Sequence, residues 1–280
     1  MICLSDREVP WRFVRALHLR KHRKETGLSL AEGPRVVKVC LDTGVEIHSL
    51  FLSREFAESE PGEIFRREIE AQNGGKASST CPFPVYVVRD ELFGRMSATE
   101  TPQGVLAVIP VPPRFTRGQP QGRWAEPLVV VGCGIQDPGN VGTIMRTAAA
   151  FGATEVIFAD DAADPFSPKS IRASAGAFAQ VKVSYAESVE EELRRWSERG
   201  VTLWKTDPGQ GKLPWEARFA EPVAIVFGSE GRGLPASLDC LIQSSVRVPM
   251  PGGLESLNVG VSCAIILYEV LRQRLVFGQR

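Results

Sequence analysis

Asn140, Arg146, Glu230, Ser256 and Asn258 are polar residues set in, or just beyond, glycine-rich turns that follow apolar runs. Two amides and a hydroxyl can orient a ligand, while a guanidinium can bind a phosphate or stabilise negative charge developing on an oxygen. Each residue also has an ordinary structural role open to it. Ser256 and Asn258 stand at a helix start and suit N-caps. Asn140 follows the turn Asp137-Pro138-Gly139 and suits a cap as well. Arg146 lies on the next helix beside small and apolar residues, where its stem can pack while its head reaches water. The ordered placement of these residues at strand and helix ends favours a ligand site, because ligands of parallel sheets bind there.

The elements that must position them can be read from apolar periodicity. Val223 to Phe227 predicts a strand buried on both faces, ending at Gly228. Gly228, Gly231 and Gly233 then strip side chains from successive turn positions, so that backbone groups can approach a ligand. A second run, Val246 to Val248, stops at Pro249. After Pro251-Gly252-Gly253, the group Glu255-Ser256-Asn258 opens a long apolar helix to about Leu271. Upstream, strands at Leu128–Val131, Val156–Ala159, Val181–Val183 and Val201–Trp204 alternate with helices from Val141, near Pro168 to Ala177, and from Val189 to Arg199. That alternation demands a mainly parallel sheet with helices on its faces.

The first half reads differently. Arg12 to Lys24 is basic and predicts a helix with Phe13, Val14, Leu17 and Leu19 inward and Arg15, Arg20, Lys21, Arg23 and Lys24 outward. A strand from Leu28 to Ala31, a helix from Arg35 to Leu41, a strand from Ile47 to Leu52, a helix around Gly62 to Gln72 and a strand from Val85 to Val88 follow. Gly74 to Thr80 reads as an exposed loop. Residues 111–126 are rich in Pro, Gly and Arg and lack apolar period, which predicts a linker between domains at 1–110 and 127–280.

The whole chain has 280 residues, 43% hydrophobic and 24% charged, which allows two globular domains. No apolar run is long enough to span a membrane, and the first residues lack the pattern of a signal or transit peptide, so cytoplasm is the expected location. Six scattered cysteines without a C-x-x-C pair, and three histidines, support neither a disulfide framework nor a zinc site. The formal net charge is zero, so any nucleic-acid contact must come from local charge such as the 12–24 face.

The segment DPGNVGTIMRTAAAFGATEVIF (137–158), the turn GSEGRG after Phe227 and the pair VPM and SLNV (248–250, 256–259) resemble, in order and spacing, the three motifs of the SpoU/TrmH family of RNA ribose 2′-O-methyltransferases, of the SPOUT superfamily. DPFSPKSIRASAGAF (164–178) also resembles the family. LRKHRKETGLSLAEGPRVV (19–37) and TETPQGVLAVIP (99–110) resemble the opening and closing of the L30e-like RNA-binding domain that often precedes the catalytic one.

The resemblance implies an α/β fold with a C-terminal α/β knot, a trefoil-knotted and mainly parallel SPOUT domain, working as a homodimer on RNA without a metal. It implies S-adenosylmethionine as cofactor, held by Gly228, Val248 and Leu257 and flanked by Phe227 and Met250. Arg146, Asn140, Glu230, Ser256 and Asn258 become the catalytic set. Arg146 matches the family's arginine for which a general-base role has been proposed. A guanidinium is a poor base, so charge stabilisation on the 2′-oxygen and phosphate binding suit it better. Arg20, Lys21, Arg23, Lys24, Lys169 and Arg172 become RNA-binding residues. The L30e-like extension points to ribosomal RNA ahead of tRNA.

Two rival readings stand beside it. A silent RNA-binding or assembly factor of the same fold would not need all of Arg146, Glu230, Ser256 and Asn258. A dinucleotide or Rossmann-type enzyme is suggested by Gly132-Cys133-Gly134 with Asp160 closing the next strand, but the third fingerprint glycine is Asp137 and the fingerprint fails.

Overall fold

The structure is a computed structural model, which describes residues 2–3, 10–72, 83–115, 121–229, 233–242 and 244–277. The expected 74–80 loop, Arg117, Glu230 and Gly231 lie outside the described residues. The chain divides into two compact units, one of residues 1–119 and 166–179, the other of residues 120–165 and 180–280.

In the first unit a five-stranded sheet has the order β1-β4-β3-β5-β2. Its strands are β1 (Ile2–Cys3), β2 (Leu28–Glu32), β3 (Ser49–Ser53), β4 (Val85–Val88) and β5 (Val105–Pro110). β5 runs antiparallel to both β2 and β3, and β4 parallel to β1 and β3. Helices α1 (Trp11–Ala16), α2 (Arg20–Thr26), α3 (Pro34–Thr43), α4 (Arg54–Glu58), α5 (Glu60–Gln72) and α6 (Asp90–Met96) complete the N-terminal part. Val14 and Leu17 pack with Phe51, Leu92, Phe93, Met96 and Leu106 in its core. Further along the chain, the excursion 166–179 belongs to this unit although the sequence places it amid the second domain. Its short helix α8 (Pro168–Ala173) lies against β2, and Ser29 Oγ donates to the Phe166 carbonyl at 2.6 Å.

The expected 12–24 helix is two helices, and the break changes which side chains face out. α1 ends at Ala16, so Phe13 and Leu19 are exposed while Val14 and Leu17 are buried. The break also leaves the carbonyls of Leu17 and His18 without helical donors. Arg23 turns inward to supply them, Nη1 donating at 2.9 and 2.8 Å, and is only 5% exposed. Its outward projection is therefore corrected, whereas Arg20, Lys21 and Lys24 are exposed.

The second unit has a six-stranded sheet, every pairing parallel, in the order β11-β9-β10-β6-β7-β8. The strands are β6 (Leu128–Gly132), β7 (Glu155–Ala159), β8 (Lys182–Ala186), β9 (Thr202–Thr206), β10 (Val223–Phe227) and β11 (Ser244–Val246). β6 and β10 are buried along their whole length, as unbroken apolar runs require of strands covered on both faces; β7 is buried too, with the Glu155 carboxylate at its start accepting from Lys182 and Ser184. α7 (Pro138–Ala150), α9 (Val189–Glu198), α10 (Ala236–Asp239) and α11 (Val259–Phe277) are its helices, and α11 packs against α7. β11 lies two residues before the expected Val246–Val248, because its ladder to β9 covers only Ser244 to Val246.

Two polar residues near the end of α11 fasten the return of the chain. Gln273 accepts from Phe219 N at 2.8 Å and donates to the carbonyls of Pro214 and Ala217. Arg274, 4% exposed, donates to the carbonyls of Glu126, Pro127, Phe219 and Glu221. Burial lowers its pKa to about 10, partly offset by the Glu126 carboxylate. Replacing Arg274 with Met leaves four carbonyls short of a donor, and the expected cost is about 3 kcal/mol. A urea midpoint unchanged from the parent protein would show that the clamp contributes nothing.

Candidate functional site

In the second unit the loops at the C-terminal ends of β9, β10 and β11 enclose a cavity of about 250 Å³ with the start of α11. Phe227, Gly228, Val248, Met250 and Leu257 all line it, as does Ser256. The apolar part of this wall suits an aromatic base and an aliphatic chain. Thr206, Asp207, Ser256 and Ser262 supply the polar part. Thr206, Asp207 and Pro208 were not anticipated, since β9 runs two residues beyond Trp204. The available signal was the turn sequence Thr206-Asp207-Pro208-Gly209, where Asp207 Oδ1 accepts from the N–H groups of Gly209 and Gln210.

Gly228 is required by contact. A Cβ there would lie 2.5 Å from the carbonyl carbon of Gly233 and 2.6 Å from its oxygen. The approach is this close because Ser229 and Gly233 exchange backbone hydrogen bonds of 3.1 and 3.0 Å, closing the turn on itself. Gly233 takes a φ of 65°, in the left-handed region that favours glycine.

The first and third motifs meet. Asn258 Nδ2 donates to Asn140 Oδ1 at 2.9 Å, and Asn258 Oδ1 accepts from Gly260 N at 2.9 Å. Asn258 thus caps α11, while Ser256 stands two residues before the cap and lines the cavity. Asn140 is not a cap. Asp137 takes that place, accepting from Gly139 N at 3.2 Å, because Pro138 suits the first helical position and starts α7 earlier. Asn140 then sits in the first turn, where its side chain reaches Asn258.

Arg146 is exposed on α7, as are Thr143 and Ala150, and is not among the described residues of the cavity wall. The two buried thiols of the unit, Cys133 and Cys263, are poor nucleophile candidates. Burial, then the nearby Asp161 and Glu190 carboxylates, push Cys133 up to about 12, and burial raises Cys263 as well. Among the described residues no cluster of three or more His, Cys, Asp or Glu could hold a metal ion, and no helix is long and apolar enough to cross a membrane.

Of the expected RNA contacts, Lys169 is exposed on α8 in the first unit. Arg172, in that same unit, points instead to a carboxylate: its Nη1 is 3.6 Å from Glu32, which is buried and accepts hydrogen bonds from Ser97 and Thr99.

Comparison with known proteins places both halves. Residues 127–268 match the SpoU rRNA Methylase family model, and residues 12–107 match the MRM3-like substrate binding domain. An uncharacterised tRNA/rRNA methyltransferase of Synechocystis is 33% identical, over 93% of this chain and 90% of that one. The 23S rRNA (guanosine(2553)-2′-O)-methyltransferase RlmP of Bacillus subtilis is 28% identical, over 91% of this chain and 92% of its own. The AdoMet complex of the SpoU methyltransferase AviRb from Streptomyces viridochromogenes superimposes with a TM-score of 0.79 at 27% identity, covering 97% of this chain and 100% of that one.

Gly228→Ala forces the turn open against backbone atoms, so S-adenosylhomocysteine affinity should fall by about tenfold or more, equivalent to about 1.4 kcal/mol. Titration calorimetry on a variant with unchanged circular dichroism reads this directly. Affinity equal to the parent's would separate the Gly228 turn from cofactor binding.

Proposed function

The chain belongs to the SpoU rRNA methylase family, and we propose that it transfers a methyl group to a ribose 2′-hydroxyl of ribosomal RNA, in the cytoplasm, as a homodimer. It is an RNA methyltransferase with a parallel-sheet SPOUT core and S-adenosylmethionine as its cofactor. The observation that carries the finer reading is the Asn140–Asn258 hydrogen bond, which joins the first and third motifs beside a cavity walled by all five expected cofactor residues. The 23S rRNA activity named for the Bacillus subtilis relative favours ribosomal RNA over tRNA.

The cofactor supplies a methyl group already activated by its sulfonium, so this chain needs only to bind, orient and neutralise. Phe227, Met250 and Leu257 offer apolar walls, and Ser256 a hydroxyl at the rim. Asn140 and Asn258 fix each other and set the polar groups nearest the rim. Arg146 would bind phosphate and stabilise the charge that develops on the attacking oxygen, in a site where preorganised charge has most effect. Glu230 would orient that arginine or its loop.

The homodimer is supported by an apolar stripe. Val261, Ile265 and Tyr268 follow one another at helical spacing on the exposed side of α11, and Leu275 and Val276 continue the stripe two turns further on. Such a stripe on a helix is out of place in water and suits a partner surface. α7 lies against α11, and the ring of Phe151 just after it meets Tyr268 edge-on, centroids 6.4 Å apart. A two-fold contact along α11 would therefore carry Arg146 towards the partner's cavity.

Arg146→Ala should lose methyl transfer to total RNA from a strain lacking the enzyme. Its stability should stay within about 0.5 kcal/mol, as expected of an exposed position, and its S-adenosylhomocysteine affinity should be unchanged. Mixed with Gly228→Ala chains under exchange conditions, it should regain activity, because one pocket of the mixed dimer then has both an intact turn and the partner's arginine. Activity that stays absent in proven mixed dimers would assign each arginine to its own pocket. Full activity of the single variant would remove Arg146 from the reaction.

A separate experiment addresses the basic face. Reversing Arg20, Lys21 and Lys24 to Glu should weaken RNA binding and flatten its log–log dependence on salt, by about 0.7 per lost contact to single-stranded phosphate. A slope equal to the parent's would mean that these side chains do not contact RNA.

A further inference from the structure

A second cavity, of about 710 Å³, adjoins the first and shares Ser229, Gly233 and Val259 with it. Among the described residues, none of those singled out for catalysis lines it. Resting on the RNA-methylation reading above, we propose that this cavity takes the base of the nucleotide being methylated and selects bases that present an amino group, guanine above all.

The side chains at its rim are arranged to accept hydrogen bonds. Gln136 Nε2 donates to the carbonyl of Asp161 at 2.7 Å and to that of Gly134 at 3.4 Å. That fixes the amide and leaves Gln136 Oε1 as an acceptor. Asp161 Oδ1 accepts from Gly134 N at 2.9 Å, while its Oδ2 has no hydrogen-bond partner among the described residues. Both side chains are exposed to the cavity mouth. The Ser229 hydroxyl is directed at the Gly233 carbonyl, and Cys133 is buried and protonated. Ile135, Leu234, Pro235 and Val259 give apolar walls. A volume of this size lies in the ordinary range for small-molecule sites.

Apolar walls with two acceptors describe the complement of a flat heterocycle carrying N–H groups. The Asp161 carboxylate repels a phosphate, and none of the described residues lining the cavity is basic. Among the four bases, guanine sets N1–H beside its amino group, and a carboxylate oxygen with a neighbouring amide oxygen can accept from both. Adenine and cytosine each present one amino group. Uracil presents a single N–H between two carbonyls, whose lone pairs would face Asp161 and Gln136. The shared wall puts this base site next to the cofactor cavity, as one nucleotide bridging base recognition and ribose chemistry requires.

The test uses the full chain saturated with S-adenosylhomocysteine, so that nucleosides cannot occupy the cofactor cavity, and follows guanosine, adenosine, cytidine and uridine by saturation-transfer NMR. Guanosine should bind at least about tenfold more tightly than uridine. Asp161→Asn keeps an acceptor for Gly134 N but turns Oδ2 into a donor, so uridine should gain on guanosine. Gln136→Ala, at an exposed position, should weaken guanosine and serves if the first variant melts early. Equal binding of all four nucleosides, no binding at all, or an order untouched by both variants would overturn the proposal. Methyl incorporation into total RNA is measured separately. Its absence in the parent protein would overturn the RNA-methylation reading while leaving the nucleoside preference to be read by itself.

Discussion

Asn258 divides its side-chain amide between two neighbours, and the geometry of the site follows from that division. Oδ1 accepts from Gly260 N and so must face the first turn of α11, which leaves Nδ2 to face Asn140. The orientation is set by the bonding pattern, since the reversed amide would oppose donor to donor at Gly260. Aspartate could cap the helix but has no N–H for Asn140, and serine could not reach both partners at once. The helix start is also held close to α7 by shape: a Cβ on Gly260 would lie 2.7 Å from Thr143 Cγ2. One contact thereby fixes where α11 begins, how Met250 to Leu257 approach the cavity, and which way the first turn of α7 points.

Much of this was legible in the sequence, for a physical reason. Strands covered on both faces must be apolar throughout, so β6 and β10 stand out without alternation, and β10 was anticipated from Val223 to Phe227, as found. Ligand-facing turns of a parallel sheet lie where such runs stop, and glycines mark the places where backbone meets backbone, as at Gly228. The five expected cofactor positions fall on one cavity because all of them occupy such stops.

What could not be read depends on partners distant in sequence. Arg23 looks like surface charge in a helical pattern, and its burial follows from a helix break that leaves two carbonyls open. Asn140 looks like a cap until Pro138 is allowed to start the helix and Asp137 to cap it. Gln273 and Arg274 look like the polar tail of an apolar helix, yet they are buried on carbonyls more than fifty residues away. The excursion 166–179 reads as one more helix of the second half, and nothing local reveals that Ser29 and Glu32 are its neighbours.

Charge makes the same point about RNA. A chain with 33 basic and 33 acidic residues has no net attraction for a polyanion, and several of its arginines are committed inside the protein: Arg23 to α1 carbonyls, Arg172 to Glu32, Arg274 to the strand entries of the second sheet. On the proposed RNA-binding reading, affinity for phosphate would come from exposed side chains such as Arg20, Lys21 and Lys24, and would be local and sensitive to salt. Acidic groups near the turns are not a liability under that arrangement. A carboxylate such as Asp161, fixed by Gly134 N, keeps phosphates away from its own cavity while leaving base edges with N–H groups free to enter. A protein of zero net charge can in this way separate the two halves of a nucleotide: the backbone is drawn to a few exposed cations, and the base is sorted by acceptors that a uniformly basic surface would have neutralised.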